Sequence, residues 1–378
     1  MSAYRSLLIG IAAMLLLGLG SAPARAATFV YVSNNEDGNI GMYMLQPDGS
    51  LQPGARVAAA GKVVMPMTVS PDKRFLVAGV RTKPFAAQTY SIDRSTGALK
   101  SVGTGPLHES FPYIVLDRSG RFLLGASYGA HLVSVNPVGA DGRVGEPMQV
   151  IPTARNAHAI ITDNTNRFVF VPHLATDQIF QFVFDAKTGR LTANTPPVVQ
   201  MKTGTGPRHL ITSSDNRYVY LLNELTATVT TLALDGKTGL LTEVSSVSAL
   251  PPDSKLVPGA PRGPDAPPRN RDNDIWASDL HLTPNGKFLY AAERTSSSLG
   301  AFSVDAATGK LTWLGSTPTE KQPRGFRIDP TGRFMVVSGE KSDTISAYSI
   351  DPSSGALKPI GKYPTGKGSN WVEIVSFD

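Results

Sequence analysis

The sequence predicts an all-β fold, and within that class a seven-bladed β-propeller. Three observations support this prediction. No stretch after residue 26 keeps a helical apolar period, short β-rich runs alternate with turns rich in Asp, Asn, Gly and Pro, and one pattern recurs about every 46 residues. A repeat of that length with four short strands is typical of a propeller blade.

Each copy of the repeat has an aromatic residue at the start of a β-rich run, as in "VSPDKRFLVAGVR" (69–81) and "IDPTGRFMVVSGE" (328–340). Most copies continue into two strands joined by an Asp-x-x-x-Gly turn, as in "FSVDAATGKLT" (302–312). The aromatic positions are Phe29, Phe75, Phe122, Phe168, Tyr218, Phe288 and Phe334, with successive spacings of 46, 47, 46, 50, 70 and 46 residues. Seven positions predict seven blades in one domain, residues 27–378.

The first copy of the repeat lacks its front half. The C-terminal segment "SNWVEIVSFD" (369–378) has the composition of the missing strand. We therefore expect the N- and C-terminal strands to pair and close the ring, which removes exposed sheet edges.

A Pro-rich insertion at residues 251–275 accounts for the spacing of 70 residues. Its composition predicts an extended loop without regular structure. It is either a solvated surface loop or a rim over the channel mouth that brings Arg262, Arg269 or Arg271 near a ligand.

Residues 1–26 have the features of a secretory signal peptide. Arg5 precedes an apolar run from Leu7 to Leu19, and Ala24-Arg25-Ala26 forms a small-x-small site that predicts cleavage after Ala26. The apolar run is shorter than the roughly 20 residues of a membrane span, which disfavours an uncleaved anchor. We expect a periplasmic or secreted protein with no membrane span after cleavage.

The composition excludes several kinds of chemistry. The chain has no Cys, so thiol catalysis, Cys–zinc sites and disulfides are excluded. Loss of the signal peptide lowers the formal charge from +6 to +4, and the basic residues are scattered, so no nucleic-acid partner is expected.

Two motifs are not interpreted as catalytic or metal sites. Residues 125–129 match the G-x-S-x-G pattern of a serine nucleophile, but a strand should follow them, whereas that kind of site needs a helix. His158 and His281 lack the spacing of a metal site, so no metal or other cofactor is expected.

The ends of the predicted hairpins carry charged residues at corresponding positions of successive blades. In a blade, the start of the innermost strand and the end of the second strand lie at the same face of the ring. This geometry should gather seven side chains around one mouth of the central channel: His158, Arg208, Glu224, Asp279, His281, Arg294 and Arg324. His209 and Arg81 occupy neighbouring positions, and we assign them, with Asp279, His281 and Arg324, to substrate binding.

Such a cluster suits an anionic or carbonyl-bearing ligand. Arg grips carboxylate or phosphate in bidentate fashion and stabilises an oxyanion, while His or Glu can activate water as a general base. The alternative is that these residues are solvated rim charges, or Arg–Glu pairs that hold blades together.

Several motifs together resemble the bacterial propeller-type 6-phosphogluconolactonases, a family that includes fungal carboxymuconate lactonizing enzymes. They are "SPDKRFLVAGVR" (70–81), "GPRHL" (206–210), "NEL" (223–225), "WASDLHLTPNGKFLYAAERT" (276–295), "QPRGFRIDPTGRF" (322–334) and "GKYPTGKGSNWV" (361–372). The resemblance implies hydrolysis of a sugar δ-lactone without a required metal. It also implies catalytic roles for His158, Arg208, Glu224 and Arg294: the two Arg would bind the acidic group or carbonyl oxygen, and Glu224 or His158 would activate water.

The leading hypothesis is therefore an exported lactone hydrolase whose partner is a small-molecule sugar lactone. Because the family's sugar-lactone enzymes act in the cytoplasm, the export signal favours an unphosphorylated aldonolactone. A non-catalytic propeller that binds an anionic ligand or a protein at the same mouth is the first alternative, and a lactone-forming cycloisomerase is the second. We expect a monomer or weak dimer.

Overall fold

The computed structural model describes residues 27–59, 61–263 and 268–377, and the predicted signal peptide lies outside these ranges. In the described ranges, twenty-eight strands form seven four-stranded antiparallel sheets arranged as the blades of a propeller. The fold class predicted from the sequence is confirmed. No helix in these ranges has the length and apolar character needed to cross a membrane.

The strands follow the chain blade by blade. Blade 1 contains β1 (Ala27–Asn34), β2 (Asn39–Leu45), β3 (Leu51–Ala58) and β28 (Ser369–Phe377). Blade 2 contains β4 (Val64–Val69), β5 (Phe75–Val80), β6 (Ala86–Ile92) and β7 (Leu99–Pro106). Blade 3 contains β8 (Tyr113–Leu116), β9 (Phe122–Ser127), β10 (Leu132–Pro137) and β11 (Gln149–Pro152). Blade 4 contains β12 (Ile161–Thr162), β13 (Phe168–His173), β14 (Gln178–Asp185) and β15 (Arg190–Gln200).

The last three blades keep the same order. Blade 5 contains β16 (Pro207–Thr212), β17 (Tyr218–Asn223), β18 (Thr228–Leu234) and β19 (Leu241–Ser248). Blade 6 contains β20 (Ala277–Leu282), β21 (Phe288–Glu293), β22 (Ser298–Val304) and β23 (Leu311–Pro318). Blade 7 contains β24 (Pro323–Ile328), β25 (Phe334–Gly339), β26 (Thr344–Ile350) and β27 (Leu357–Pro364).

The two ends of the chain close the ring inside blade 1. Strand β28 pairs with β1 in a register that runs from Ala27 opposite Phe377 to Asn34 opposite Ser369. The Thr28 hydroxyl lies 2.8 Å from the Ser376 hydroxyl, so side chains support the ladder. The predicted pairing of the terminal strands is confirmed, and no blade is left with three strands.

One contact explains why both an aromatic residue and a turn glycine recur in the sequence repeat. The turn glycine Gly97 of blade 2 lies against the ring of Phe29 in blade 1. A Cβ at position 97 would stand 2.3 Å from this ring, and the Gly97 φ of +71° also favours glycine. The contact recurs around the molecule as Phe75 on Gly142, Phe122 on Gly189, Phe168 on Gly239, Tyr218 on Gly309, Phe288 on Gly355 and Phe334 on Gly49. The aromatic residue of each blade therefore packs on a turn glycine of the next blade, and the last contact joins blade 7 to blade 1. In five of the seven contacts this glycine ends an Asp-x-x-x-Gly turn.

The strand register fixes which residues meet at each end of the central channel. Pro207 at the start of β16 pairs with Asn223 at the end of β17, and Ala277 pairs with Glu293 in the same way in blade 6. We call the channel end where the innermost strands begin the upper mouth. The opposite end, where the innermost strands turn into the second strands, is the lower mouth.

The Pro-rich insertion lies at the upper mouth. It connects β19, the outermost strand of blade 5, to β20, the innermost strand of blade 6, and that connection runs on the upper face. The Gly259 backbone N–H donates to the Leu225 carbonyl at 2.9 Å, which fixes the insertion beside the end of β17.

Candidate active site

Bulges at the start of the innermost strands turn charged side chains into the channel. The β16–β17 register shifts at Arg208, and the β24–β25 register shifts in the same way at Arg324. Residues next to each other in a regular strand point to opposite faces, and a bulge relaxes that alternation. Arg208 and His209 therefore both face the channel, with Nη1 of the arginine 2.9 Å from Nε2 of the histidine.

The centre of the upper mouth is a carboxylate held between two arginines. Arg208 Nε donates to Glu224 Oε2 at 2.7 Å, and Arg294 Nη2 donates to the same oxygen at 3.1 Å. Arg208 and Glu224 belong to blade 5 and Arg294 follows β21 in blade 6, so the second ion pair crosses a blade boundary. All three side chains are buried, with 1%, 4% and 2% of Arg208, Glu224 and Arg294 exposed.

Backbone carbonyls at the start of β20 hold the two guanidinium groups in place. Arg294 donates to the carbonyls of Trp276 and Ala277, each at 3.0 Å, and Arg208 donates to the carbonyl of Ser278. Burial lowers the pKa of Arg294 to about 9, and Glu224 opposes that shift, so the group remains cationic at neutral pH. Removing one partner of a buried ion pair costs about 3–5 kcal/mol, so the cluster also holds blades 5 and 6 together.

His158 lies beside this cluster on the segment that precedes β12. Its backbone N–H donates to the Pro172 carbonyl at 3.0 Å, and its ring packs edgewise on Tyr128 at 5.6 Å and on His209 at 5.3 Å between centroids. Within the described residues, the buried Nδ1 atom has no hydrogen-bond partner. Burial, followed by the nearby positive charge of Arg208, lowers the pKa of His158 well below its usual value. The ring is therefore neutral at neutral pH.

A second layer of hydrogen bonds lies deeper in the channel. His209 Nδ1 lies 2.9 Å from Asp279 Oδ1, and His281 Nε2 lies 3.1 Å from Asp279 Oδ2. Burial and Arg208 lower the pKa of His209 to about 3, so this ring is neutral, accepts from Arg208 and donates to Asp279. Despite burial, the His281 and His209 contacts hold the pKa of Asp279 far below its usual value. Asp279 thus orients His209, and His209 orients Arg208.

His281 lies apart from Arg208, Arg294 and Arg324 of the upper mouth. It borders a cavity of about 340 Å³ that reaches the lower mouth and is also lined by Tyr113, His209, Asp279 and Arg327. The expectation that all seven charged residues ring one mouth is therefore wrong for His281. As residue 281 lies two positions beyond Asp279 along β20, it points to the same channel but about 7 Å closer to the lower mouth.

The charged groups of the lower cavity are paired with one another. Arg327 Nε and Nη2 both donate to Glu373 Oε2, at 3.2 and 2.5 Å, while Asp279 accepts from both histidines. The repeat alignment missed Arg327 and Glu373 because it considered only strand ends. Every second residue of an innermost strand points into the channel, and this alternation would have identified both residues.

Arg81, Arg324 and Glu340 complete the upper mouth on the side of blades 2 and 7. Arg324 Nη1 donates to Glu340 Oε1 at 3.1 Å, and Arg81 Nε donates to the Ser110 hydroxyl at 2.9 Å. Burial and the neighbouring Arg324 lower the pKa of Arg81 to about 10, so it also remains cationic. Even with Asp279 counted, the arginines of this mouth outnumber its carboxylates, which favours an anionic ligand.

The structure also bears on the G-x-S-x-G match and on metal binding. Ser127, in the G-x-S-x-G match, is buried at the end of β9 and donates to the Ser110 carbonyl at 3.1 Å, and strand β10 follows it. Residues 27–59, 61–263 and 268–377 contain no group of three or more His, Cys, Asp or Glu side chains suited to a metal ion.

Comparison with known proteins gives one consistent result. Residues 26–374 match the model of the family described as lactonase, seven-bladed β-propeller. The 6-phosphogluconolactonases of Erwinia tasmaniensis and Serratia proteamaculans are each 38% identical over 300 residues, which is 79% of this chain and 84% of each relative.

Solved structures agree with the sequence relatives. The periplasmic gluconolactonase PpgL of Pseudomonas aeruginosa superposes with a TM-score of 0.81 at 26% identity, over 93% of this chain and 99% of that chain. A protein from Lactobacillus plantarum shares the fold with a TM-score of 0.79 at 23% identity, over 93% and 99% of the two chains. Family model, sequence relatives and architecture coincide over nearly the whole described chain, and the protein belongs to the seven-bladed β-propeller lactonase family.

Proposed function

We propose that this protein is an exported lactonase that opens a sugar δ-lactone to its hydroxy acid at the upper mouth. The observation that carries the proposal is the buried Arg208–Glu224–Arg294 cluster with the neutral ring of His158 beside it. The printed activities of the relatives, 6-phosphogluconolactonase and gluconolactonase, support the same class of substrate.

The arrangement supplies each part that lactone hydrolysis needs. Water attacks the ring carbonyl carbon, and the carbonyl oxygen gains negative charge as the tetrahedral intermediate forms. Arg208 and Arg294 present N–H donors from a buried, preorganised position, where such contacts stabilise a developing oxyanion strongly. A proton acceptor takes one proton from the attacking water and returns it to the ring oxygen as the carbon–oxygen bond of the lactone breaks.

We assign the proton acceptor to His158 and a positioning role to Glu224. Glu224 Oε2 already accepts from two guanidinium groups, so the carboxylate fixes the arginines. His158 has a buried Nδ1 atom that no described residue satisfies, an arrangement that is costly unless the site uses it. Its lowered pKa keeps the ring unprotonated throughout the neutral pH range.

The test is hydrolysis of glucono-δ-lactone and its 6-phospho form by the purified protein, followed by acid release in weak buffer and corrected for spontaneous opening. We expect His158→Gln to lower kcat by about 100-fold or more, as for loss of a general base. His173→Phe is the matched control, because this buried histidine lies on β13 with its Nδ1 donating to the Val171 carbonyl at 3.0 Å. It should keep the activity.

A second pair of variants tests the carboxylate. Glu224→Gln should lower kcat and also loosen both arginines, whereas Glu320→Gln, which changes a buried carboxylate bonded to Ser346 in blade 7, should leave kcat unchanged. If neither lactone is hydrolysed faster than the blank, the proposed substrates are wrong, and ligand binding without catalysis becomes the better explanation. If the protein instead closes the carboxylate of an unsaturated acid onto its own carbon–carbon double bond, giving a lactone without release of water, it is a cycloisomerase.

Export is a separate part of the proposal. It is supported by the charged start, apolar run and small-x-small site of residues 1–26. N-terminal sequencing of the protein from the periplasmic or extracellular fraction should begin at Ala27. A cytoplasmic protein that retains Met1 would contradict it.

A further inference from the structure

A cavity lined with hydroxyl groups lies between blades 4 and 5 on the upper face, away from the central channel. Its volume is about 280 Å³, and we call it the side cavity. One wall is the connection from β15 to β16, residues 201–206, and the other is formed by β17, β18 and β19 of blade 5. Six hydroxyl side chains line it: Thr203, Thr205, Thr226, Thr228, Thr230 and Ser246. None of the lining residues belongs to the Arg208–Glu224–Arg294 cluster, so the side cavity is a separate feature of the molecule.

The side cavity borders an amide with one unsatisfied atom. The side chain of Asn223 lines the cavity and is 1% exposed. Its Nδ2 donates to the hydroxyl of Thr228 at 2.9 Å and to that of Thr230 at 3.0 Å. Its Oδ1 atom is buried and accepts from no described residue. A buried acceptor without a donor costs free energy, so a ligand that brings a hydrogen-bond donor to this amide gains affinity.

The equivalent crevice of blade 7 is filled by a carboxylate of the chain itself. Thr344 and Ser346 occupy the positions on β26 that Thr228 and Thr230 occupy on β18, the first and third residues of the strand. Both hydroxyls donate to Glu320 Oε1, Thr344 at 3.1 Å and Ser346 at 2.5 Å. Glu320 belongs to the connection that leads into blade 7, and it is 2% exposed. Blade 7 therefore shows that this pair of hydroxyls binds a carboxylate.

The connection that leads into blade 5 has no carboxylate to offer. Residues 201–206 read Met-Lys-Thr-Gly-Thr-Gly, and this connection is six residues long against four in blade 7. The backbone N–H groups of Gly204 and Gly206 donate to Asp177 of blade 4, each at 2.8 Å, which holds the connection against blade 4. The hydroxyls of Thr228 and Thr230 therefore face the side cavity.

Charges at the rim of the side cavity limit what it can bind. Lys202 and Glu243 both line the cavity and are exposed. The ammonium group attracts an anion, while the carboxylate opposes a second negative charge on the same ligand. The hydroxyl protons are available to a ligand, because Thr228 and Thr230 share them only with the hydroxyls of Thr226 and Ser246, at 2.8 and 3.0 Å.

We infer that the side cavity binds a small monocarboxylic acid that carries a hydroxyl or ammonium group beside its carboxylate. The carboxylate accepts from Thr228 and Thr230, as Glu320 does from the matching pair in blade 7, and the second group donates to Asn223 Oδ1. This binding does not depend on the proposed lactone hydrolysis. Because Glu224 directly follows Asn223, the ligand is held next to the carboxylate that fixes the catalytic arginines.

The experiment measures binding of four matched three-carbon compounds by saturation-transfer NMR titration: propionate, lactate, alanine and propylene glycol. Lactate, alanine or both should bind at least about threefold more tightly than propionate, the size of one added hydrogen bond. The acid that gains more identifies the second group as hydroxyl or ammonium. Propylene glycol keeps the hydroxyl of lactate without its carboxylate, so it should bind at least about tenfold more weakly than lactate.

Thr228→Val keeps the shape of the side chain and should weaken binding of the preferred acid at least about tenfold, as for loss of a hydrogen bond to a charged group. Thr344→Val is the matched control, because it removes the equivalent hydroxyl beside Glu320 in blade 7, and it should leave binding unchanged. Thr203→Glu at an exposed position supplies a carboxylate from the connection, as Glu320 does, and should abolish binding, whereas Thr203→Gln should weaken it less.

Three results would overturn the inference. They are no detectable binding of any of the acids, equal affinity for lactate and propylene glycol, and equal affinity in Thr228→Val and Thr344→Val. Equal affinity for the three acids would overturn the role assigned to Asn223. Thermal unfolding of each variant checks that the propeller is folded, and Thr203→Glu decides the matter if Thr228→Val does not fold.

Discussion

His173 should make the protein less stable in weak acid, and His173→Phe should remove that effect. The side chain is fully buried on β13 and stacks on Phe180 with 4.4 Å between centroids. Its Nδ1 donates to the Val171 carbonyl, while its buried Nε2 has no partner among the described residues. A second proton on this ring would be desolvated and unpaired, which lowers the pKa of His173 to about 4.

The magnitude follows from proton linkage. The unfolded chain protonates the histidine at its ordinary pKa of about 6.5, whereas the folded protein does so only near 4. Between these values the unfolded state binds the extra proton, so stability falls as the pH falls from about 6.5 to about 4, and it is unaffected above that range. At pH 5 the loss relative to pH 8 is about 2 kcal/mol for this group alone.

The assay is chemical denaturation at pH 8 and pH 5, followed by circular dichroism, for the unmodified protein and His173→Phe. At pH 8 the variant should lie within about 1 kcal/mol of the unmodified protein, since it loses one hydrogen bond and buries a larger apolar ring. Between pH 8 and pH 5 the unmodified protein should lose about 2 kcal/mol more than the variant. An identical pH dependence for the two proteins would show that His173 is not held neutral by burial.

Three further changes test the closure of the ring, the packing between blades and the support of Arg208. Deleting residues 369–377 removes the innermost strand of blade 1 and should abolish cooperative thermal unfolding, as measured by circular dichroism. Gly105→Ala should lower the free energy of unfolding by about 2 kcal/mol or more, because the new Cβ would stand 1.9 Å from a backbone carbonyl oxygen of blade 3. Gly236→Ala is the control and should be nearly neutral, since its Cβ would meet nothing within 4 Å. Asp279→Asn leaves one of the two histidine donors without an acceptor, so it should lower the free energy of unfolding by about 2 kcal/mol in chemical denaturation. It should also lower kcat, because His209 would no longer hold Arg208 in place. Unchanged values in both assays would refute the orienting role of His209.

The repeat was readable from the sequence because each blade uses the same local chemistry. An aromatic residue at a strand start and a glycine in a turn recur at nearly constant spacing, and both are needed wherever one blade packs on the next. Period-two alternation and turn residues act over a few positions, so they survive in the linear pattern. Pairing of the terminal strands was predictable for the same reason, since an incomplete first blade needs a fourth strand.

The candidate site was predictable only in part. Positions relative to the aromatic anchors identified Arg208, Glu224 and Arg294 as neighbours, because seven similar blades bring equivalent positions to one mouth. The same reasoning misplaced His281, since two residues along a strand move a side chain toward the other mouth. It also could not distinguish the roles of Arg262, Arg269 and Arg271 in the insertion.

The sequence by itself determined the number of blades, the closure of the ring and the mouth at which charge collects. Only the tertiary structure decided which charges pair and which stay free. Among the described residues, Arg269 and Arg271 pair with Asp274, whereas Arg262 is stacked on Trp276 and forms no ion pair. The reason is physical: blade geometry repeats with the sequence, but pairing within a buried cluster depends on distances of a few ångströms between side chains from different blades and a non-repeating loop.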